Sequence, residues 1–301
     1  MKIGITADSS SGLEYVNFKH KVLITRTTIN FKDRILLDGV DITADAFYHL
    51  LSKTQEIPST SAPTPGVILE QIIKLKAQGC TDVIHFPIST GLSDYGKNIK
   101  ATMDPLCQEI GINFHVYDSK TACLMQGLFA LYASYLADHG STIQEIFQTL
   151  ENYKKNQYPY FVVDDLKYLI KNGRLSGITG NIAILLKIKP VLIIDKEGRI
   201  VTFEKVRTHN KAIERTLELT KMKTTETKNV LYLSVHTNRY EDAVKLKETL
   251  DGRKNCYKTI ITTITPTVGA HIGSGILGAV CIGLTDEEVI IFDKIFKGVN
   301  A

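Results

Sequence analysis

Four hydroxyl-rich segments mark the first half of the chain: Asp8-Ser9-Ser10-Ser11, Ser59-Thr60-Ser61, Ser89-Thr90-Gly91-Leu92-Ser93 and Asp118-Ser119. Neutral hydroxyls and the N–H groups at helix starts can hold a carboxylate or phosphate without a full counter-charge. Any one such segment can equally be a helix cap. Four in one half of a chain point to a ligand. The second half adds three candidates. His271 lies in a glycine-rich segment, residues 267–273, that reads as a turn; glycines there would let backbone approach a ligand while the imidazole supplies a hydrogen bond. Arg174, in Lys171-Asn172-Gly173-Arg174-Leu175-Ser176-Gly177, and Arg207, in Glu204-Lys205-Val206-Arg207-Thr208, could each meet an anion or pair with an acid.

Other chemistries find little support. Gly273-Ser274-Gly275-Ile276-Leu277-Gly278 matches G-x-G-x-x-G, but a dinucleotide fingerprint follows a strand and opens a helix. Here a strand-like run comes next, so the glycines read as a turn. No G-x-S-x-G, HExxH, Walker A or EF-hand loop is present, and the eight histidines are scattered.

The elements that must position these residues alternate. Strand patterns fall at residues 2–7, 22–31, 82–88 and 112–117, and helix patterns at 43–52, 66–78, 93–106, 121–138 and 142–154, with 58–65 a loop by composition. Strands alternating with helices of 10–15 residues argue for a parallel sheet with helices on both faces. In an open sheet of that kind, loops at the carboxyl ends of the strands meet where ligands bind. A boundary is expected at 156–159. Beyond it come strands at 160–163, 190–194, 199–206, 230–235, 257–264 and 276–284. Helices at 166–171, 182–188, 209–221 and 239–250 accompany them, and a mixed sheet is expected. The chain thus reads as α/β with two domains, 1–157 and 158–301.

Length and composition agree. At about 100–200 residues per domain, 301 residues suggest two. With 44% hydrophobic and 23% charged residues, the chain is neither disordered nor a disulfide scaffold. No apolar run approaches the length of a membrane span. The net charge of +4 is too mild to imply nucleic acid, although residues 1–157 hold 14 basic and 16 acidic side chains and the remainder 22 and 16. Five cysteines with no CxxC pair suggest reduced thiols and a cytoplasmic location, with no metal site.

In order and spacing these segments resemble the DegV family of bacterial fatty-acid-binding proteins, which includes the FakB components of fatty acid kinase. The matching pieces include Thr6-Ala7-Asp8-Ser9-Ser10-Ser11-Gly12, Pro58-Ser59-Thr60-Ser61-Ala62-Pro63-Thr64-Pro65-Gly66, Ile88-Ser89-Thr90-Gly91-Leu92-Ser93, Leu169-Ile170-Lys171-Asn172-Gly173-Arg174-Leu175-Ser176, Lys205-Val206-Arg207-Thr208 and Val268-Gly269-Ala270-His271-Ile272-Gly273-Ser274-Gly275. The resemblance implies a two-domain fold with a ligand cleft between the domains. It implies a long-chain fatty acid such as palmitate, stearate or oleate, and no cofactor. Its carboxylate would meet Thr60, Ser61 and Ser93 from the first domain and His271 from the second, with Arg174 near the cleft. Arg207 would face a separate fatty acid kinase that makes the acyl-phosphate for phospholipid synthesis. The tail would lie in an apolar tunnel mainly in the second domain, with Ile178, Ile182, Leu185 and Leu186 as lining candidates. The chain departs from the family at Asp94-Tyr95, where Gly-Thr is usual, at Ala62 for Gln and at Ser274 for Pro. An inward Asp94 would repel a carboxylate; facing solvent, it would suit the first turn of its helix.

Two alternatives stand beside the carrier. One is an enzyme on a small phosphorylated or carboxylated substrate using Ser93 and His271. The other is a scaffold with a vestigial cleft.

Overall fold

The computed structural model describes residues 2–54, 56–177 and 188–298. Four short strands from the first half make a parallel sheet in the spatial order Leu23–Thr25, Ile3–Asp8, Asp82–Phe86 and Asn113–Val116. Residues 4–8 and 82–86 are buried throughout, as in a sheet covered on both faces. Helices Pro65–Ala77 and Tyr95–Glu109 cover one face through Ile68, Ile72, Ile99 and Met103. Helix Cys123–Asp138 covers the other.

The second half builds a seven-stranded mixed sheet. Its spatial order is Cys256–Thr263, Asn229–His236, Leu277–Leu284, Gln157–Val162, Val191–Ile194, Ile200–Glu204 and Leu175–Ser176. The expected boundary at 156–159 runs directly into one of these strands, and Pro159 pairs with Val280 inside it. Helix Asp286–Lys297, absent from the sequence reading, closes the chain behind a capping box of Thr285 and Glu288. The expected helix at 182–188, and the lining candidates Ile178, Ile182, Leu185 and Leu186, fall outside the described residues.

Helix Cys123–Asp138 joins the two sheets. Ten consecutive residues, 124–133, are buried, so the helix has no polar face along that stretch. It packs against the parallel sheet through Leu124 and Leu128, in one apolar cluster with Leu231, Leu233, Val280 and Ile282 of the mixed sheet. Gly127 lets this happen, because its Cα faces the buried serine turn Ser9–Ser11. No helix among the described residues is long and apolar enough to cross a membrane.

Two segments differ from their sequence reading, and both carry candidate residues. Residues 58–65 are not simply loop: Ser59–Ser61 is a strand, antiparallel to Thr28–Asn30, which in turn pairs with Ile35–Leu37. The glycine-rich segment around His271 is a helix, Pro266–Ile272. Thr265 caps it, accepting from the Val268 N–H at 3.4 Å, and Pro266 takes the first position, where no N–H is needed. Gly269 lets the helix press onto Phe47 and Tyr48, the latter donating to the Ile264 carbonyl at 3.0 Å. Gly273, at φ 81°, then turns the chain toward strand Leu277–Leu284.

Asp38 clamps the start of that helix. Its carboxylate accepts from the Thr267 N–H at 3.1 Å and from the Thr267 hydroxyl. Burial pushes the carboxyl up to about 6, partly offset by these two bonds and reinforced by nearby Glu14. A carboxyl raised in the folded state favours folding while protonated, below its ordinary value near 3.8, and that contribution is lost as pH rises through about 6. Between about pH 4 and pH 7 the wild type should therefore lose on the order of 3 kcal/mol relative to Asp38→Asn. A difference in unfolding free energy that does not change with pH would contradict this. At Gly127 two effects compete. Alanine gains about 1 kcal/mol in helix propensity, but overpacking costs about 1–3 kcal/mol. The new Cβ would sit 2.6 Å from the Ser11 carbonyl oxygen, which is backbone and cannot swing aside. Gly127→Ala should be the less stable protein in urea, by about 1 kcal/mol; an equal or higher midpoint would show that the serine turn yields.

Candidate functional site

Strand register builds the floor of an apolar cavity. Leu233, Val280 and Pro159 lie side by side across three strands, and Val235, Gly278 and Phe161 form the next row. Side chains two apart on a strand share a face, so both rows point the same way. Thr262, Ile194 and Ile200 extend the floor onto three more strands. The roof is the start of helix Cys123–Asp138, together with Val268 and Ile272 of helix Pro266–Ile272. The cavity is lined almost wholly by carbon. Six neighbouring strands about 4.8 Å apart give a floor of roughly 24 Å. An acyl chain needs at least half of a bilayer's hydrocarbon core, about 15 Å.

A polar pocket adjoins the cavity, and Leu92, Ile200, Val268 and Ile272 line both. Thr60, Ser93, Arg174 and His271 all face this pocket. Thr60 Oγ1 lies 2.8 Å from His271 Nε2, across 211 residues of sequence. Ser93 Oγ accepts from the Tyr95 N–H at 3.2 Å, which leaves its own O–H free to donate. The Arg174 Nε donates to the Leu92 carbonyl at 3.3 Å, and its Nη1 to the Asn172 carbonyl. Asn172 in turn donates to the Ala270 and His271 carbonyls, both at 3.4 Å, and so covers the end of the His271 helix.

Burial pushes the His271 imidazole down to about 4, and the Arg174 charge adds to the shift. At neutral pH the ring is therefore uncharged and carries one N–H. Its Nδ1 is buried and has no hydrogen-bond partner among the described residues. If the Thr60 hydroxyl donates to Nε2, the proton sits on Nδ1, and a buried donor awaits an acceptor. An uncharged N–H donor, the free Ser93 hydroxyl and a guanidinium suit a carboxylate or phosphate oxygen. Among the described residues no cluster of His, Cys, Asp or Glu could hold a metal ion.

The sequence reading places five residues at the site and Arg207 on a surface that meets a partner. Thr60, Ser93, Arg174 and His271 meet in one pocket. Ser61 does not join them: on a strand its neighbour Thr60 faces the other way, and the Ser61 hydroxyl takes a hydrogen bond from Asn30 at 2.8 Å. Arg207 is exposed beyond strand Ile200–Glu204, away from the pocket lining. Asp94 turns outward, with its side chain 80% exposed and paired to Lys97 at 2.8 Å. The reading missed Asn172 and the pocket-facing Tyr95 as site residues, although both stand within quoted motifs or beside Ser93.

The chain was compared with known proteins. The family model described as uncharacterised protein, DegV family, matches residues 2–283. A DegV domain-containing protein of Staphylococcus aureus is 33% identical over 291 residues, covering 94% of this chain and 98% of the relative. Among solved structures, a fatty acid binding DegV family protein from Streptococcus agalactiae superposes with a TM-score of 0.83 at 27% identity, covering 95% of this chain and all of that one. DegV, a fatty acid binding protein from Bacillus subtilis, does so with a TM-score of 0.81 at 31% identity, covering 94% of this chain and all of that one. With its parallel sheet, its mixed sheet and a family match over nearly its whole length, the chain belongs to the DegV family.

Proposed function

We propose that the protein binds a long-chain fatty acid, with the tail in the apolar cavity and the carboxylate in the polar pocket. The observation that carries this is the adjacency of the two: a carbon-lined cavity shares Leu92, Ile200, Val268 and Ile272 with a pocket lined by Ser93, Arg174 and His271. Each buried methylene is worth about 0.8 kcal/mol, so a palmitate tail could contribute on the order of 10 kcal/mol before costs. The head group cannot simply follow the tail into carbon, because an unsatisfied buried carboxylate costs several kcal/mol or more. Ser93, His271 and Arg174 supply the donors that remove this penalty, and Thr60 sets the His271 tautomer by donating to Nε2. The similar structures from Streptococcus agalactiae and Bacillus subtilis, both described as fatty acid binding, support the same ligand class.

The design is that of a carrier. The tail is hidden and the head group is placed where a partner can reach it. We assign the partner as a fatty acid kinase that would phosphorylate the bound carboxylate, with exposed Arg207 on the docking face. An enzyme reading has one observation in its favour, the Thr60–His271 contact, which pairs a hydroxyl with a base. A ring held near pKa 4, with its other nitrogen facing no carboxylate, is a poor general base at neutral pH.

Mass spectrometry of a solvent extract from the purified protein should find a long-chain fatty acid in near-stoichiometric amount. An empty extract, together with no rise in melting temperature on adding palmitate or oleate, would sink the ligand assignment. His271→Ala and Ser93→Ala should each weaken palmitate binding about tenfold, the worth of one hydrogen bond to a charged group, while the fold persists. Wild-type affinity in both would remove the head-group assignment and leave the cavity assignment standing.

A further inference from the structure

One residue of the polar pocket is tied to a buried network that the fatty-acid reading leaves without a role. Tyr95 opens helix Tyr95–Glu109 and lines the pocket next to Ser93. Its hydroxyl lies 2.9 Å from His85 Nε2, and the other ring nitrogen, Nδ1, lies 2.9 Å from Thr6 Oγ1. His85 sits on strand Asp82–Phe86 with no exposed surface, its ring stacked on Phe114 at 6.1 Å and edge-on to Tyr95 at 5.8 Å. Burial pushes its pKa down to about 3, so the ring is neutral.

A neutral imidazole has one N–H and one lone pair, and here each nitrogen faces a hydroxyl. Two proton arrangements therefore satisfy the same geometry. In one, Nδ1–H donates to Thr6 and the Tyr95 O–H donates to Nε2. In the other, the Thr6 O–H donates to Nδ1, Nε2–H donates to the Tyr95 oxygen, and the Tyr95 proton turns away from His85, with the Thr25 hydroxyl as its acceptor within the protein until a ligand competes for it. Neither arrangement breaks a hydrogen bond or creates a buried charge. Burial, with the charge of Asp8 behind it, keeps Tyr95 protonated and hence a donor. Asp8 does not compete for that proton, because its carboxylate already accepts from the Ile88 N–H at 2.7 Å, the Ser10 N–H at 3.0 Å, Gln126 at 3.2 Å and the Ser10 hydroxyl.

We infer that Tyr95 is a further head-group donor of this site, and that the His85–Thr6 pair lets its hydroxyl turn from the protein to a bound carboxylate. The inference rests on the fatty-acid reading and adds a residue to it. The site then discriminates between a carboxylate and an uncharged head on the same tail, since hydrogen bonds to an ionised acceptor are about twice as strong as neutral ones.

The test compares two ligands of one tail length, palmitate and hexadecanol, on delipidated wild type and Tyr95→Phe. The variant keeps the ring and its packing on His85 but leaves Nε2 without that partner, so the lipid-free variant should melt lower, and a single cooperative transition checks that it folds. Palmitate affinity should fall about tenfold in Tyr95→Phe, about 1.4 kcal/mol, while hexadecanol affinity stays within about twofold. Unchanged palmitate affinity overturns the inference. So does an equal loss for both ligands, which would mark Tyr95 as a wall of the pocket only. A wild type that binds neither lipid overturns the fatty-acid reading itself, and that outcome is distinct from the other two.

Discussion

A helix without a polar face must be covered on every side. Helix Cys123–Asp138 imposes that demand with ten successive buried residues, and one sheet cannot meet it. The parallel sheet takes one side and the mixed sheet takes the other, so sheets from opposite ends of the chain are held in one core. Everything at the site follows from this arrangement. The apolar cavity lies between the mixed sheet and the start of this helix, with Val268 and Ile272 completing its roof. Gly278 keeps that floor low, because a Cβ there would press within 2.6 Å of Phe161.

The polar pocket depends on the same closure. Thr60 and His271 touch only because helix Pro266–Ile272 is pinned at both ends, by Asp38 at its start and by Asn172 at its finish. The pinning groups are themselves buried polar atoms, held by hydrogen bonds that reach across the fold. Three of the groups that surround the site, Asp38, His85 and His271, are pushed toward their neutral forms by burial. Arg174 is the cation among the pocket's lining residues, and Asp8, whose carboxyl burial also pushes upward, is the acid.

Much of this was legible in the sequence, and the exceptions have physical causes. Helix patterns at 43–52, 66–78 and 142–154 were readable because apolar spacing and N-caps agree; Thr43, Thr64 and Thr142 cap the helices found there. The His271 segment was misread because glycines argue against a helix. Tertiary contact overrode that propensity: Gly269 is needed for the close approach to Phe47 and Tyr48. Ser59–Ser61 reads as loop because three residues of hydroxyl carry no periodicity, and its strand exists only through pairing with Thr28–Asn30. Ser61 was assigned to the site along with its neighbour, whereas strand alternation sends the two to opposite faces. Tyr95 could have been noticed, since a large aromatic at a helix start beside Ser93 must go somewhere. Its bond to His85 is invisible without the sheet that brings them together.

The unpartnered Nδ1 of His271 has a consequence for the protein's life in a cell. A buried imidazole N–H is costly to leave unpaired, so a ligand that accepts it in the proposed site would stabilise the folded chain. Whatever fills the pocket and completes that bond shifts the balance between folded and unfolded chains. Quality-control proteases sample the unfolded fraction, and a few kcal/mol changes abundance severalfold. Under the proposed function, the amount of this protein that persists would follow the supply of fatty acid.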